Sequence, residues 1–97
     1  MAEIAWTSEA LRWLEDIFEY IAADNPDAAA ETVEAIYQRA QVLARYPEMG
    51  HRFLHSERNV RILLHGTYRI AYLIKHDGNV DILGVFHSAL DIKKYQL

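Results

Sequence analysis

Residues 60–87 read VRILLHGTYRIAYLIKHDGNVDILGVFH, and this stretch decides the fold. Val60, Ile62 and Leu64 alternate with Arg61, Leu63 and His65. Gly66-Thr67 makes a turn. Tyr68, Ile70, Tyr72 and Ile74 then alternate with Arg69, Ala71, Leu73 and Lys75. Asp77-Gly78 is a strong hairpin signal, because both residue types tolerate the positive φ of a tight primed turn. Beyond it Val80, Ile82, Gly84 and Phe86 alternate with Asp81, Leu83, Val85 and His87. A period of two between turn signals is the mark of strands, so the segment predicts a three-stranded antiparallel meander.

Upstream the period changes. Leu11, Leu14, Ile17, Phe18 and Ile21 recur at steps of three and four, with Arg12, Glu15, Asp16 and Glu19 on the other side. This is an amphipathic helix, with Ser8 as its expected cap and Glu9 placed well for the helix dipole. Asp24-Asn25-Pro26 must interrupt it, since a residue before proline avoids helical dihedrals. Asn25 then caps a second helix with Pro26 at its first position. Its stripe is Ala29, Val33, Ile36, Tyr37, Ala40, Leu43 and Ala44, and the alanines allow close helix approach. So short a break predicts an antiparallel helical hairpin. Ile4 and Trp6, alternating with Ala5 and Thr7, suggest a short first strand. Residues 45–50 (RYPEMG) end the second helix, residues 51–59 are polar and irregular apart from Phe53 and Leu54, and Ser88 is the expected cap of a last turn reaching Tyr95.

The expected fold is therefore α+β, in the order β-α-α-β-β-β with a short helical tail. The helical hairpin packs on one face of a mainly antiparallel four-stranded sheet, the one large apolar surface open to it. Residues 1–97 read as a single domain, and the opposite sheet face is expected to carry the function.

Composition narrows the function. The 97 residues hold Lys+Arg 10, Asp+Glu 14 and no cysteine, for a net charge of −4. Disulfide scaffolds, Cys-ligated zinc and iron–sulfur centres are excluded. No run of about 20 apolar residues could span a membrane, and Met1-Ala2-Glu3-Ile4 does not begin a signal peptide, which points to a soluble cytoplasmic chain. Charge is uneven. Residues 1–50 carry ten acids and three bases, whereas residues 51–97 carry four acids, seven bases and all five histidines. The second half is mildly basic, far from the strong basicity of a typical nucleic-acid-binding domain.

Few residues invite chemistry. Arg61 and Arg69 lie on neighbouring strands, where two guanidiniums could grip phosphates or carboxylates. Solvated residues, with Asp81 as a cross-strand partner, are the plainer alternative. His87, at a strand end, suits either acid–base work or turn capping. His51 and His55 are four apart in an irregular stretch, which is poor geometry for a metal, so neither metal nor cofactor is expected. Trp6, Trp13, Tyr20, Tyr37, Tyr68 and Tyr72 fall mostly at core positions. Trp13 lies one step off the Leu11/Leu14 stripe and could border a partner-covered surface. There is no glycine-rich phosphate loop, nucleophile elbow or Ser/His/Asp array.

Four segments together resemble the ParE/RelE toxin superfamily, often labelled plasmid-stabilisation proteins: SEALRWLEDIFEYIAADNPDAAAETVEAI (8–36), LARYPEMGHRF (43–53), VRILLHGTYRIAYLI (60–74) and VDILGVFHSALD (80–91). The most specific features are Asn25-Pro26 before an alanine-rich helix, Pro47 with Gly50, Tyr68-Arg69-Ile70 with Tyr72, and His87. The resemblance implies the toxin of a type II toxin–antitoxin pair, held inactive by a small antitoxin and touching operator DNA only through it. ParE-like members inhibit DNA gyrase; RelE-like members cut messenger RNA in the ribosome.

Ribonuclease-type members place several cations on the second and third strands and at the end of the fourth, often with a tail Tyr. Here Arg61, Arg69, His87 and Tyr95 are the candidates for such catalysis. The strand-end cation is replaced by Ala89 or Leu90, and Leu90 also stands where ParE-like members commonly have Arg. The resemblance therefore favours a ParE-like, non-enzymatic gyrase inhibitor. A RelE-like ribonuclease, or a detoxified member kept for antitoxin binding and operon autoregulation, is the alternative. An antitoxin helix would lay its apolar side on Trp13, Ile17 and Tyr20, and its acids would meet Arg61 and Arg69.

Overall fold

The computed structural model describes all residues, Met1–Leu97. Its elements follow the expected order: β1 (Ile4–Trp6), α1 (Ser8–Ala22), α2 (Pro26–Gln41), β2 (His51–Arg52), β3 (Val60–His65), β4 (Tyr68–Ile74) and β5 (Val80–His87), with short 3₁₀ turns at Val42–Ala44 and Ile92–Lys94. The sheet has five strands rather than four, in the order β1-β5-β4-β3-β2. The extra strand is β2, two residues of the stretch expected to be irregular, which pairs antiparallel with Arg61 and Ile62. So short a pairing leaves no periodicity to read. β1 lies parallel to β5, so the sheet is mixed.

Local chemistry explains the helix ends. Thr7, not Ser8, caps α1: its Oγ1 accepts from the Ala10 N–H at 3.1 Å and donates to the Ile82 carbonyl at 2.8 Å. The second bond selects Thr7, because it ties the helix start to β5. Asn25 caps α2 as expected, accepting from the Ala28 N–H at 3.1 Å with Pro26 at the first position. Asp91, not Ser88, caps the tail turn.

The α1 face that packs is also rotated from the expected stripe. Ala10 and Leu14 are buried, Trp13 and Ile17 pack against the core, and Leu11 and Phe18 are exposed. Ala10 has only a methyl group, which lets the helix lie close on the sheet. Trp13 reaches past the end of β1, which pairs only with Val80–Ile82, to the far half of β5.

Two cores lie on opposite sheet faces. The larger, between helices and sheet, holds Leu14, Ile36, Leu43, Leu63, Ile70, Tyr72, Val80, Ile82 and Val85. The smaller holds Phe53, Val60, Ile62, Ala71, Phe86 and Ile92, with Leu97 packed on it. The second face is therefore partly covered by the tail rather than open. Each large apolar side chain buried in these clusters stabilises the fold by about 1.5–3 kcal/mol.

One irregularity sets the phase of β5. Tyr72 pairs with Ile82 and Ala71 with Gly84, so Leu83 is a bulge. An unbroken alternation would put Phe86 on the same face as Val80 and Ile82. The extra residue reverses the faces. Val85 and His87 then join the helix side and Phe86 the other, each with its cross-strand partner: Ile70, Tyr68 and Arg69.

Candidate interaction grooves

The first groove runs between α1 and the ends of β4 and β5, with a volume of about 580 Å³. Trp13, Asp16, Ile17, Tyr20 and Ile21 form one wall; Tyr68, Val85 and His87 form the other, and Ala89 and Leu90 close the end. The three α1 residues expected to meet a partner thus share one surface. Tyr20 is 85% exposed, while Ile17 is half-buried. Trp13 anchors the groove from beneath. Its ring lies 4.5 Å from that of Phe86 and 5.5 Å from that of Tyr95. A Cβ on Gly84 would stand 2.9 Å from the Phe86 ring and 3.3 Å from that of Trp13, so only glycine lets the two aromatics lie across the strand.

His87 stands edge-on to Tyr68 with ring centroids 5.8 Å apart. Its Nδ1 accepts from the Ala89 N–H at 3.1 Å, the turn-capping role, and Nε2 is left as the ring's free donor. No acid or second base is bonded to it.

The second groove, about 590 Å³, lies on the opposite sheet face. Arg69 and Lys93 give it a cationic lining, beside the imidazoles of His51 and His55. Phe53, Ile62, Leu64 and Ile92 supply apolar lining and Asp91 one carboxylate. The Arg69 Nη2 donates to the Ser88 carbonyl at 2.9 Å. Asp81 does not pair with either arginine; it lies 3.5 Å from Lys75 Nζ.

Arg61 and Arg69 are therefore not one cationic pair. Arg61 pairs with Tyr72 and Arg69 with Leu64, three positions apart along β3, so they project from opposite faces. The wider set divides the same way. His87 shares the Arg61 face, while Tyr95, 4.9 Å from the Phe86 ring, lies on the Arg69 side. No acid–base cluster converges, and no three His, Asp or Glu side chains are placed to hold a metal ion.

Arg61 instead braces a loop. Its Nη1 donates to the Gly50 carbonyl at 2.7 Å and to that of Glu48 at 3.2 Å. Beside it the Tyr72 hydroxyl donates to the Pro47 carbonyl at 2.6 Å and accepts from the Gly50 N–H at 2.9 Å. Burial raises the Tyr72 pKa above its ordinary value, against the opposing pull of the Gly50 bond and the Arg61 charge. The phenol therefore stays a donor. Sequence reading placed Tyr72 in the core and missed the clamp; the available signal was that a buried tyrosine hydroxyl needs a partner. His51, His55 and Lys93 as neighbours of Arg69 were also missed, since only the pairing of β2 and the return of the tail bring them there.

Comparison with known proteins agrees with this architecture. The family model described as ParE toxin of type II toxin–antitoxin system matches residues 4–92. The protein called toxin Y4kP of Sinorhizobium fredii is 40% identical over 85 residues, covering 88% of this chain and 86% of that protein. Toxin RelE2 of Caulobacter vibrioides is 34% identical over 89 residues, covering 92% of this chain and 98% of the relative. Among solved structures, the chromosomal ParDE toxin–antitoxin system of P. aeruginosa superposes with a TM-score of 0.74 at 23% identity, over 90% of this chain and 96% of that one. The RelBE2 toxin–antitoxin complex of Mycobacterium tuberculosis gives 0.59 at 26% identity, over 89% and 96%.

Proposed function

The chain belongs to the ParE toxin family of type II toxin–antitoxin systems, and from that premise we propose that it acts on DNA gyrase by binding and is neutralised by a cognate antitoxin. The observation that carries the first half is the division of Arg61 and His87 from Arg69 and Tyr95 by the sheet. Metal-free cleavage of a phosphodiester needs cations and an acid–base pair around one scissile phosphate. Residues on opposite faces do not provide that. Inhibition by binding needs only a surface.

The antitoxin half rests on the α1 groove. Trp13, Ile17 and Tyr20 line mostly apolar ground, where Trp13 is backed by Phe86 and Tyr95. It suits the apolar side of an amphipathic helix. Arg69 offers charge to acids of the same partner. Arg61 serves indirectly, by bracing the loop at Pro47–Gly50.

A supercoiling assay with purified gyrase tests the target. Loss of supercoiling on adding the chain, restored by the antitoxin, is the expected result; unaffected supercoiling at high excess removes the gyrase reading. A RelE-like ribonuclease is the second reading, favoured by the similarity to toxin RelE2 and by the placement of Arg69 and Tyr95 on one side. Codon-linked cuts in primer extension on translated message would establish it.

A further inference from the structure

We propose that the turn from Tyr46 to Met49 is the surface that docks on the target enzyme, against a patch of that enzyme that is apolar at its centre and acidic at its rim. This contact presupposes the gyrase reading above and names the part of the chain that makes it.

Most backbone polar groups of the turn are fastened. The Tyr46 N–H donates to the Val42 carbonyl at 3.0 Å, and the Met49 N–H to the Tyr46 carbonyl at 3.1 Å. Tyr72 and Arg61 take the Pro47, Glu48 and Gly50 carbonyls and the Gly50 N–H. Gly50 lies so close to Ile62 and Tyr72 that a Cβ has no room. What this holds in place is apolar and faces water. Tyr46 is 54% exposed and Met49 48% exposed, and with Pro47 they flank an open hollow of about 400 Å³. Fold stability accounts for the fastened backbone, but not for two large apolar side chains left in solvent. A turn that is rigid before contact loses little conformational entropy on binding, and tyrosine and methionine are enriched at interface centres.

The surroundings select the partner. Arg45 precedes the turn, and Arg52 lies across from Arg61. Both are exposed and neither meets a carboxylate, since the chain's one ion pair is Lys75 with Asp81. Glu48 is the single acid of the turn. Carboxylates around an apolar centre complement this arrangement. A surface that holds DNA is itself cationic, so two unpaired guanidiniums direct the contact to a part of the enzyme off the DNA path. The turn stands beside β2 and β3 at the outer edge of the sheet, and none of its residues lines the α1 groove. A partner seated in that groove therefore does not supply this contact.

The test uses the full chain, gyrase holoenzyme and relaxed plasmid. Tyr46→Ala with Met49→Ala leaves the bonds of Tyr72 and Arg61 intact, because those bonds end on backbone atoms. Half-inhibition of supercoiling should need at least about tenfold more of this variant. Leu54→Ala removes another exposed apolar side chain outside the turn and should stay within about twofold of wild type. Arg45→Glu with Arg52→Glu should cost about fivefold, a loss that shrinks as ionic strength rises. This second pair carries the test should the first not fold. Antitoxin affinity should stay within about twofold in both. Binding of wild type to immobilised gyrase should persist with a saturating linear duplex present.

If both variants inhibit as wild type does, the turn is not the contact and the gyrase reading stands. If wild type itself fails to inhibit, the gyrase reading falls and the assignment of the turn falls with it. Displacement of the chain by the duplex would put the contact on the DNA path and overturn the acidic patch. If the variants inhibit normally but lose antitoxin affinity, or abolish a dimer that wild type forms alone in sedimentation, the turn serves the antitoxin or a second copy and not the target.

Discussion

Arg61 and Arg69 stand on adjacent strands with their side chains on opposite faces of the sheet, because Arg61 lies across from Tyr72 and Arg69 across from Leu64. The first guanidinium is bound to two carbonyls of the loop before β2 and the second to the turn after β5. One supports the loop and the other helps form a groove. The two substitutions should therefore separate.

Arg61→Ala removes two charge-assisted bonds to carbonyls of a partly buried loop and should lower stability by about 1–2 kcal/mol. Arg69→Ala loses one exposed bond and should cost less than about 1 kcal/mol. Thermal denaturation of both variants checks the order, and a larger loss for Arg69→Ala would refute the assignment of Arg61 to the brace.

The Tyr72 clamp gives a second test. Tyr72→Phe keeps the ring in the core but leaves the Gly50 N–H and the Pro47 carbonyl without their partner, at a cost of about 1–3 kcal/mol. Gly50→Ala acts on the same clamp from the other side. Its Cβ would stand 2.7 Å from the Ile62 carbonyl oxygen and 2.8 Å from the Tyr72 hydroxyl. Since the first of these is backbone in a paired strand, the misfit should cost about 2–3 kcal/mol. Chemical denaturation measures both.

Stability should fall at alkaline pH through the same phenol. Burial raises the Tyr72 pKa in the folded chain. The folded state therefore holds that proton more tightly than the unfolded state does. The resulting stability is fully present below the ordinary tyrosine value of about 10 and declines as pH rises through the raised folded value. Tyr72→Phe lacks this component. The stability gap between wild type and Tyr72→Phe should narrow as pH rises past the ordinary tyrosine value of about 10; a gap that stays constant in urea titrations would contradict the clamp.

Tyr20→Ala examines the α1 groove with little risk to the fold. The side chain is 85% exposed, so stability should change by no more than about 0.5 kcal/mol. Affinity for the antitoxin should drop about tenfold if this ring anchors the partner. Calorimetric titration reads the affinity, and an unchanged Kd would remove Tyr20 from the contact.

Sequence alone determined the elements and their order, apart from the two-residue strand β2. Pro26, Asp77-Gly78 and the switch from a period of three and four to a period of two mark the breaks, and these act within a few residues of the chain. The family pattern was legible for the same reason, since it is written in those local segments. Which side chains share a surface was decided only by the tertiary structure. The bulge at Leu83 turns His87 towards the α1 groove and Phe86 away from it, and a single strand carries no record of where its neighbour's register slips. The second groove likewise exists because β2 pairs beside β3 and the tail folds back to set Lys93 near Arg69. Local propensity fixes a helix or a strand, whereas the faces they present depend on pairings between residues far apart in sequence.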